Sequence, residues 1–250
     1  MRLGALLGPV GNSAGAGFLA GQARAYVAEG FDSLWAAQAV GRGFMITDPL
    51  IALTVAAAVT EEVELGTAVV QLPLYAPGDL AQRVFSLMQI AGNRLTLGVG
   101  AGSTAADFRV FDRSYESRFA DFNRGVAALR ELFATGRREG IDLCPWPSVL
   151  GGPPLLLGSW GAGVERAAGQ FDGWIASGAY RSPDEVIDAL GRYRHAGGGR
   201  AIVSTIQLGP ATDLGEMRET LARYAEAGFD DAVVMLMPGG PTAAKARGLV

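Results

Sequence analysis

The sequence predicts a (β/α)₈ TIM barrel of the α/β class, on three observations. Eight short apolar runs recur along the 250 residues, nearly every run ends in a glycine-rich or polar turn, and a helix-like segment follows almost all of them. The length suits one such unit, so residues 1–250 are expected to form a single barrel domain. Barrels of this class place their chemistry on the loops that follow the strands, which narrows the functional search to a few turns.

The first strand is expected over residues 3–8. Its apolar stretch is short and runs into Gly8-Pro9, which suits a strand better than an export signal. A Gly/Ser/Ala loop leads to a helix over 18–29, ended by Gly30. Strand two covers 33–38 and meets the turn Gly41-Arg42-Gly43. Thr47-Asp48-Pro49 supplies a cap and a first-turn proline for a helix reaching Thr60. Strand three covers 63–70, Asp79 is expected to cap a helix reaching Ala91, and strand four covers 95–100. The break over 101–118 is too long for an ordinary connection and reads as a functional loop or lid before a helix over 119–134.

A second irregular stretch, 136–154, precedes strand five at 155–158, and the next helix carries Gly163 and Gly169 at its ends. Strand six covers 173–177. Ser182-Pro183-Asp184-Glu185 then opens a helix with cap, proline and acidic first turn in place. Strand seven spans 201–208, a helix 213–227, strand eight 231–237, and 241–250 reads as a short closing helix. The run from Ala232 to Met237 is apolar without alternation, as a strand buried on both faces of a parallel sheet requires. Met217, Leu221, Tyr224 and Ala225 instead form a helical stripe opposite Arg218, Glu219, Arg223 and Glu226.

Composition excludes several function classes. Hydrophobic residues make up 49% and charged residues 18% of the chain, the balance of a compact globular protein. No apolar run is long enough for a membrane span. A net charge of -4 leaves no basic footprint for nucleic acid or an anionic membrane. One cysteine, Cys144, cannot form an internal disulfide, and a cytoplasmic location is expected. His195 is the only histidine and Lys245 the only lysine. A metal held by several imidazoles and a Schiff-base lysine at a strand end are therefore both disfavoured, and no metal site is expected.

The sharpest turn is Gly100-Ala101-Gly102-Ser103-Thr104-Ala105, which satisfies the letter of G-x-G-x-x-[GA] after a strand. A Rossmann unit would open a helix here and place an acid near the end of the next strand, whereas Asp121 at that spacing falls inside an expected helix. Two other readings stand. The glycines let backbone N–H groups approach a flat or phosphorylated ligand at a barrel mouth, or they only shape a tight turn.

With these residues in view, the chain resembles the bacterial luciferase-like flavin and deazaflavin oxidoreductases. The resemblance rests on Asp32-Ser33-Leu34-Trp35, Asp48-Pro49, Glu64-Leu65-Gly66-Thr67-Ala68-Val69, Ala76-Pro77 and Ala81. It continues through Gly92-Asn93-Arg94 and the strand-four glycines, Arg118, and the run from Ala167 to Trp174. Asp107-Phe108-Arg109-Val110-Phe111 also looks like a loop of the luciferase α subunit. The resemblance implies a luciferase-like barrel with a shortened insertion that binds reduced FMN, or the deazaflavin coenzyme, at its mouth. It further implies a non-prolyl cis peptide at Ala68–Val69 beneath the ring, with cofactor contacts from Gly100, Ala101, Gly102 and Ser103 and from Gly158, Ser159, Trp160 and Gly161. The reaction would be oxygenation of a small organic substrate or hydride exchange with it. The implied partners are that substrate, a flavin reductase and a second copy of the chain, paired through helices near the N-terminal half.

The departures are informative. Many relatives carry a histidine in one of the regions where this chain reads Gln38-Ala39-Val40 or Leu74-Tyr75-Ala76-Pro77, and the luciferase α subunit has a phosphate-binding arginine where this chain has Ala101. The last difference leans toward the deazaflavin branch. A barrel that binds flavin or a partner subunit without turnover also stays open. Gln38 and Tyr75, with Asp112, are the candidates for polar substrate contacts. Arg118 anchors the long loop through a carboxylate or meets a phosphate, Trp160 stacks on a cofactor or packs on the rim, and His195 belongs to a helix end. Any lid must come from 101–118 or 136–154.

Overall fold

The computed structural model describes residues 1–8 and 15–250; the expected Gly/Ser/Ala loop lies largely outside them. Eight parallel strands run in chain order around a closed barrel: β1 (Arg2–Leu6), β2 (Ser33–Ala36), β3 (Glu64–Thr67), β4 (Leu95–Gly100), β5 (Leu155–Gly158), β6 (Gly173–Ser177), β7 (Arg200–Leu208) and β8 (Asp231–Leu236). Arg2 lies opposite Asp231 where β8 returns to β1, and Leu65 opposite Leu95 where β3 meets β4. The helices are α1 (Phe18–Ala28), α2 (Pro49–Val59), α3 (Pro77–Ala91), α4 (Ala105–Val110), α5 (Arg118–Thr135), α6 (Gly163–Gln170), α7 (Pro183–His195), α8 (Leu214–Ala227) and α9 (Ala243–Arg247).

Local chemistry explains most boundaries. Asp48 accepts hydrogen bonds from the N–H groups of Leu50 and Ile51 at the start of α2, Ser182 and Glu185 complete a capping box on α7, and Asp213 caps α8. Asp79 is not a cap. Pro77 occupies the first turn of α3, and Asp79 pairs with Arg83 one turn on. Strand three is shorter than expected, because the chain turns at Ala68–Val69 and Val70–Gln71 then runs beside β4, with Val70 opposite Val99.

Two expectations about the long breaks change. The 101–118 segment contains α4, so it is a folded piece over the C-terminal end of the barrel. The 136–154 segment joins the end of α5 to the start of β5, which places it at the opposite, N-terminal end. There it forms a small hairpin of Arg137–Arg138 with Ile141–Asp142, and Ser148 donates to Gln89 near the end of α3. It cannot serve as a lid on the mouth.

Side-chain volume organises the interior. Leu6, Trp35, Leu156, Ile175, Ile202 and Val233 fill the barrel, while a larger cluster packs between strands and helices. Trp35 is fully buried, and its indole N–H donates to Ser33 Oγ at 2.8 Å. A β-carbon at Gly4 would lie 2.9 Å from Trp35 Cδ1, and one at Gly66 would collide with its six-membered ring. Two missing β-carbons thus make room for the largest side chain in the barrel.

Charge closes the N-terminal end. Arg200 donates to Glu64 Oε1 at 2.7 Å, to Glu64 Oε2 at 3.0 Å and to Asp231 Oδ2 at 2.8 Å. Arg2 and Thr96 add bonds to Glu64 at 2.6 and 2.7 Å. Burial pushes the Glu64 carboxyl up, but hydrogen bonds and charge from Arg200, with Thr96 and Arg2, outweigh it and hold Glu64 below the usual range.

The folded state therefore binds the Glu64 proton less readily than the unfolded chain does. Its stabilisation is complete above the unfolded pKa, about 4.3, and is lost as pH falls below that value. Glu64→Gln should cost about 3 kcal/mol at pH 7 by leaving Arg200 short of a counter-charge. Urea denaturation from pH 7 to pH 3 should show a smaller acid loss in the variant than in the wild type.

Candidate active site at the barrel mouth

The C-terminal strand ends make a floor of small residues on one side. Ala37, Ala68, Val69 and Met235 pack on the barrel cluster and remain partly exposed. The Ala68–Val69 peptide is cis. The Val69 side chain reaches toward the next two strands: a β-carbon at Gly100 would lie 2.9 Å from Val69 Cγ2, and one at Gly158 only 2.7 Å from Val69 Cγ1. Three loops therefore converge on one valine, and the two glycines are the residues that allow it. Thr67 ties β3 to β4 below this point by donating to the Gly98 carbonyl at 2.7 Å.

A polar relay runs along the adjoining rim. The Gln38 amide donates to Tyr75 Oη at 2.8 Å, and its carbonyl accepts from the Gln71 N–H at 2.7 Å. Tyr75 in turn points its hydroxyl at Asp48, 3.4 Å away. Burial, then the charge of Asp48, pushes the Tyr75 phenol well above its ordinary value, so it is a neutral donor and not a base. The Gln71 side-chain amide donates to Asp107 Oδ2 at 2.6 Å.

Asp107, on α4, is fully buried and takes Arg42 Nε at 2.9 Å, while the N–H of Val40 lies 3.4 Å from the same carboxylate. Burial raises its carboxyl, and Arg42 with Gln71 more than offset that, holding it below its ordinary value. The Gly41-Arg42-Gly43 turn is seated on α4: both glycines have positive φ, and a β-carbon at Gly41 would lie 2.8 Å from Val110 Cγ2. Gln71 Oε1 is buried without a partner and faces Gly102, where a β-carbon would come within 2.6 Å of it.

The structure thus brings Gln38 and Tyr75 together, and separately Ala68, Val69, Gly100 and Gly158. Ala101 packs against the outer core, and Ser103 offers its carbonyl to the Tyr115 hydroxyl at 3.0 Å. Ser159 donates to the Gly163 carbonyl at 2.8 Å, just inside α6, and Gly161 turns with φ of 62°. Trp160 packs at the rim with the Arg181 guanidinium 4.8 Å over its ring. Asp112 is exposed at the end of α4 and joins none of these groups. Arg118 meets no carboxylate: it donates to the Tyr115 carbonyl at 2.9 Å and lies 3.8 Å over the Tyr115 ring. His195 is exposed in the last turn of α7.

Sequence reasoning missed Arg42, Gln71 and Asp107. The glycines flanking Arg42 were the available signal, since paired positive-φ positions around a cation mark a turn built to place it. Among the described residues no cluster of His, Cys, Asp and Glu could hold a metal ion, and no helix is long and apolar enough to cross a membrane.

A closed parallel barrel with small residues and glycines gathered at its C-terminal mouth is the architecture in which chemistry is placed on the strand-end loops. Residues 5–208 match the family model described as luciferase-like monooxygenase, and the chain belongs to that family. It is 39% identical over 79 residues to 4-hydroxyprotoasukamycin monooxygenase of Streptomyces nodosus subsp. asukaensis, covering 31% of this chain and 21% of that one. It is 34% identical over 137 residues to an F420-dependent glucose-6-phosphate dehydrogenase of Beutenbergia cavernae, covering 50% of this chain and 40% of that one. These matches span less than half the length of either relative. Among solved structures, monooxygenase RslO1 from Streptomyces bottropensis superposes with a TM-score of 0.74 at 22% identity, over 100% of this chain and 96% of that one, a likeness of fold.

Substituting either glycine should test the cradle. Gly158→Ala and Gly100→Ala should each destabilise by about 1–3 kcal/mol in chemical denaturation, because Val69 has to move. Asp107→Asn should cost about 2 kcal/mol and speed proteolysis between residues 40 and 45, where Arg42 loses its charged anchor.

Proposed function

We propose that this chain is an oxidoreductase that holds a reduced redox cofactor, FMN or the deazaflavin coenzyme, at the barrel mouth and acts with it on a small organic substrate. The observation that carries the reading is the convergence of Val69, Gly100 and Gly158. A flat ring needs a smooth apolar support and backbone that can come close, and these three residues, with Ala68, supply both. Gly102, Ser103 and the turn Gly158-Ser159-Trp160-Gly161 before α6 would receive the phosphate through backbone N–H groups, with Arg181 nearby as a cation.

When bound, the cofactor supplies two-electron chemistry, either hydride transfer or activation of oxygen. Orientation falls to the chain's own residues. Gln38 and Tyr75 present an amide and a neutral phenol at one side of the mouth. Arg42, Asp107 and α4 brace the rim on that side. No imidazole takes part, since His195 is remote from the mouth, so proton movement at the rim falls to neutral hydroxyls and solvent.

Ala101 favours the deazaflavin coenzyme as the second reading, because it removes the arginine that a luciferase-like FMN phosphate would meet. A flavin reductase as the source of reduced FMN belongs to the first reading, and a homodimer is compatible with both. Titration with FMN and with the deazaflavin coenzyme, each oxidised and reduced and followed by fluorescence, is expected to show tight binding of one only. Binding of neither would overturn the proposal. Binding without coupled oxygen consumption or hydride transfer on a substrate panel would favour a non-catalytic barrel.

A further inference from the structure

Opposite the glycine half of the mouth, the chain carries a wall of hydroxyl groups. Ser204 on β7 lies opposite Ser177 on β6, so the two side chains share a face. That face is the barrel interior, because Ile202 and Ile175, two residues earlier on each strand, belong to the cluster that fills the barrel. Directly after Ser204 the strand departs from regular pairing. Val203 lies opposite Ala232 and Ile206 opposite Val234, so two residues of β7 face one of β8.

The extra residue is Thr205, with φ of 62°. A β-branched residue in the left-handed region is a marked outlier, and here it stands within a barrel strand. Glycine or asparagine would adopt this backbone with less strain. The outcome of the strained position is chemical: Thr205 Oγ1 is brought to 3.2 Å from Ser204 Oγ, and either atom can be the donor. Ser204 is almost completely buried, whereas Thr205 keeps part of its surface open. Beyond them on β7, Gln207 lines a hollow of about 450 Å³ with Met237 and the loops that follow β7 and β8.

We infer that Ser204 and Thr205 form a subsite for an oxygen atom of the substrate, a carbonyl or hydroxyl. One hydroxyl donates to that oxygen or accepts from it while the other keeps the first aligned, and Met235 and Met237 provide apolar surface beside it. Backbone strain held at a rim position points to a residue kept for a contact. The assignment rests on the proposed oxidoreductase reading only in calling the ligand a substrate. The pair itself is a feature of β7.

The test uses the full-length protein and cyclohexanone as a neutral carbonyl probe, with affinity read by saturation-transfer NMR. Thr205→Gly removes the hydroxyl and relieves the backbone, so it should raise Tm by about 2–4 °C. It should also weaken the probe about three- to tenfold. Ser204→Ala should weaken it comparably, and Thr205→Asn, which tolerates the same backbone and restores a polar group, should retain most of the affinity. Unchanged probe affinity in Thr205→Gly and Ser204→Ala overturns the subsite, as does a loss in Thr205→Asn equal to that in Thr205→Gly. FMN and deazaflavin titrations of the same variants separate the two ideas. Cofactor affinity should be unchanged where probe affinity falls, and a cofactor loss with no probe loss would reassign the pair and overturn the substrate contact. If the wild type binds neither cofactor, the oxidoreductase reading fails while the probe result still decides the subsite.

Discussion

The filling of the barrel by Trp35 is the constraint on which the rest depends. A parallel barrel of eight strands has a fixed internal width, and its lower part must be packed to the density of a protein interior. Here one indole does much of that, with room left by Gly4 and Gly66 and with Leu156, Ile175, Ile202 and Val233 around it. Because the bulk is spent low in the barrel, the layer above can be small. Ala37 and Ala68 stand above the indole, and Gly100 and Gly158 give Val69 the room to reach across the strand ends. Packing and function are thus divided along the barrel axis rather than around it.

Charge follows the same division. The N-terminal end is sealed by Arg200 between Glu64 and Asp231, with Arg2 and Thr96 completing the set. At that end of a barrel such a cluster serves stability. At the mouth the one fully buried carboxylate, Asp107, is committed to Arg42 and Gln71. Beside these networks the mouth carries an amide, a phenol and three hydroxyls, with Arg181 over Trp160 on the rim.

Strand positions were legible in the sequence because buried parallel strands read as apolar runs closed by glycine, and Leu95–Gly100 and Gly173–Ser177 were found to the residue. The cis bond at Ala68–Val69 was legible through family resemblance, since no propensity marks such a bond between alanine and valine. The break in β3 was not, because 63–70 reads as one continuous strand-like run and a change of pairing partner leaves no local trace. Helix α4 was hidden by its length: six residues carry too little periodicity to stand out from a loop. Asp107 was missed with it, as one acid among Ala105, Ala106 and Phe108 shows no pattern until the fold brings Arg42 and Gln71 around it. Thr205 was beyond reach for a related reason, because a bulge is a relation between two strands and not a property of either.

The small hairpin at Arg137–Asp142 has a practical side. Its turn at Glu139-Gly140 is exposed, Gly140 has φ of 78° with open space where a side chain would project, and it stands at the far end of the molecule from the mouth. Exposed turns with few tertiary ties are where a chain accepts added residues. An affinity handle or a surface linkage placed there would hold the protein by its base, with the mouth turned to solution and free to exchange ligands.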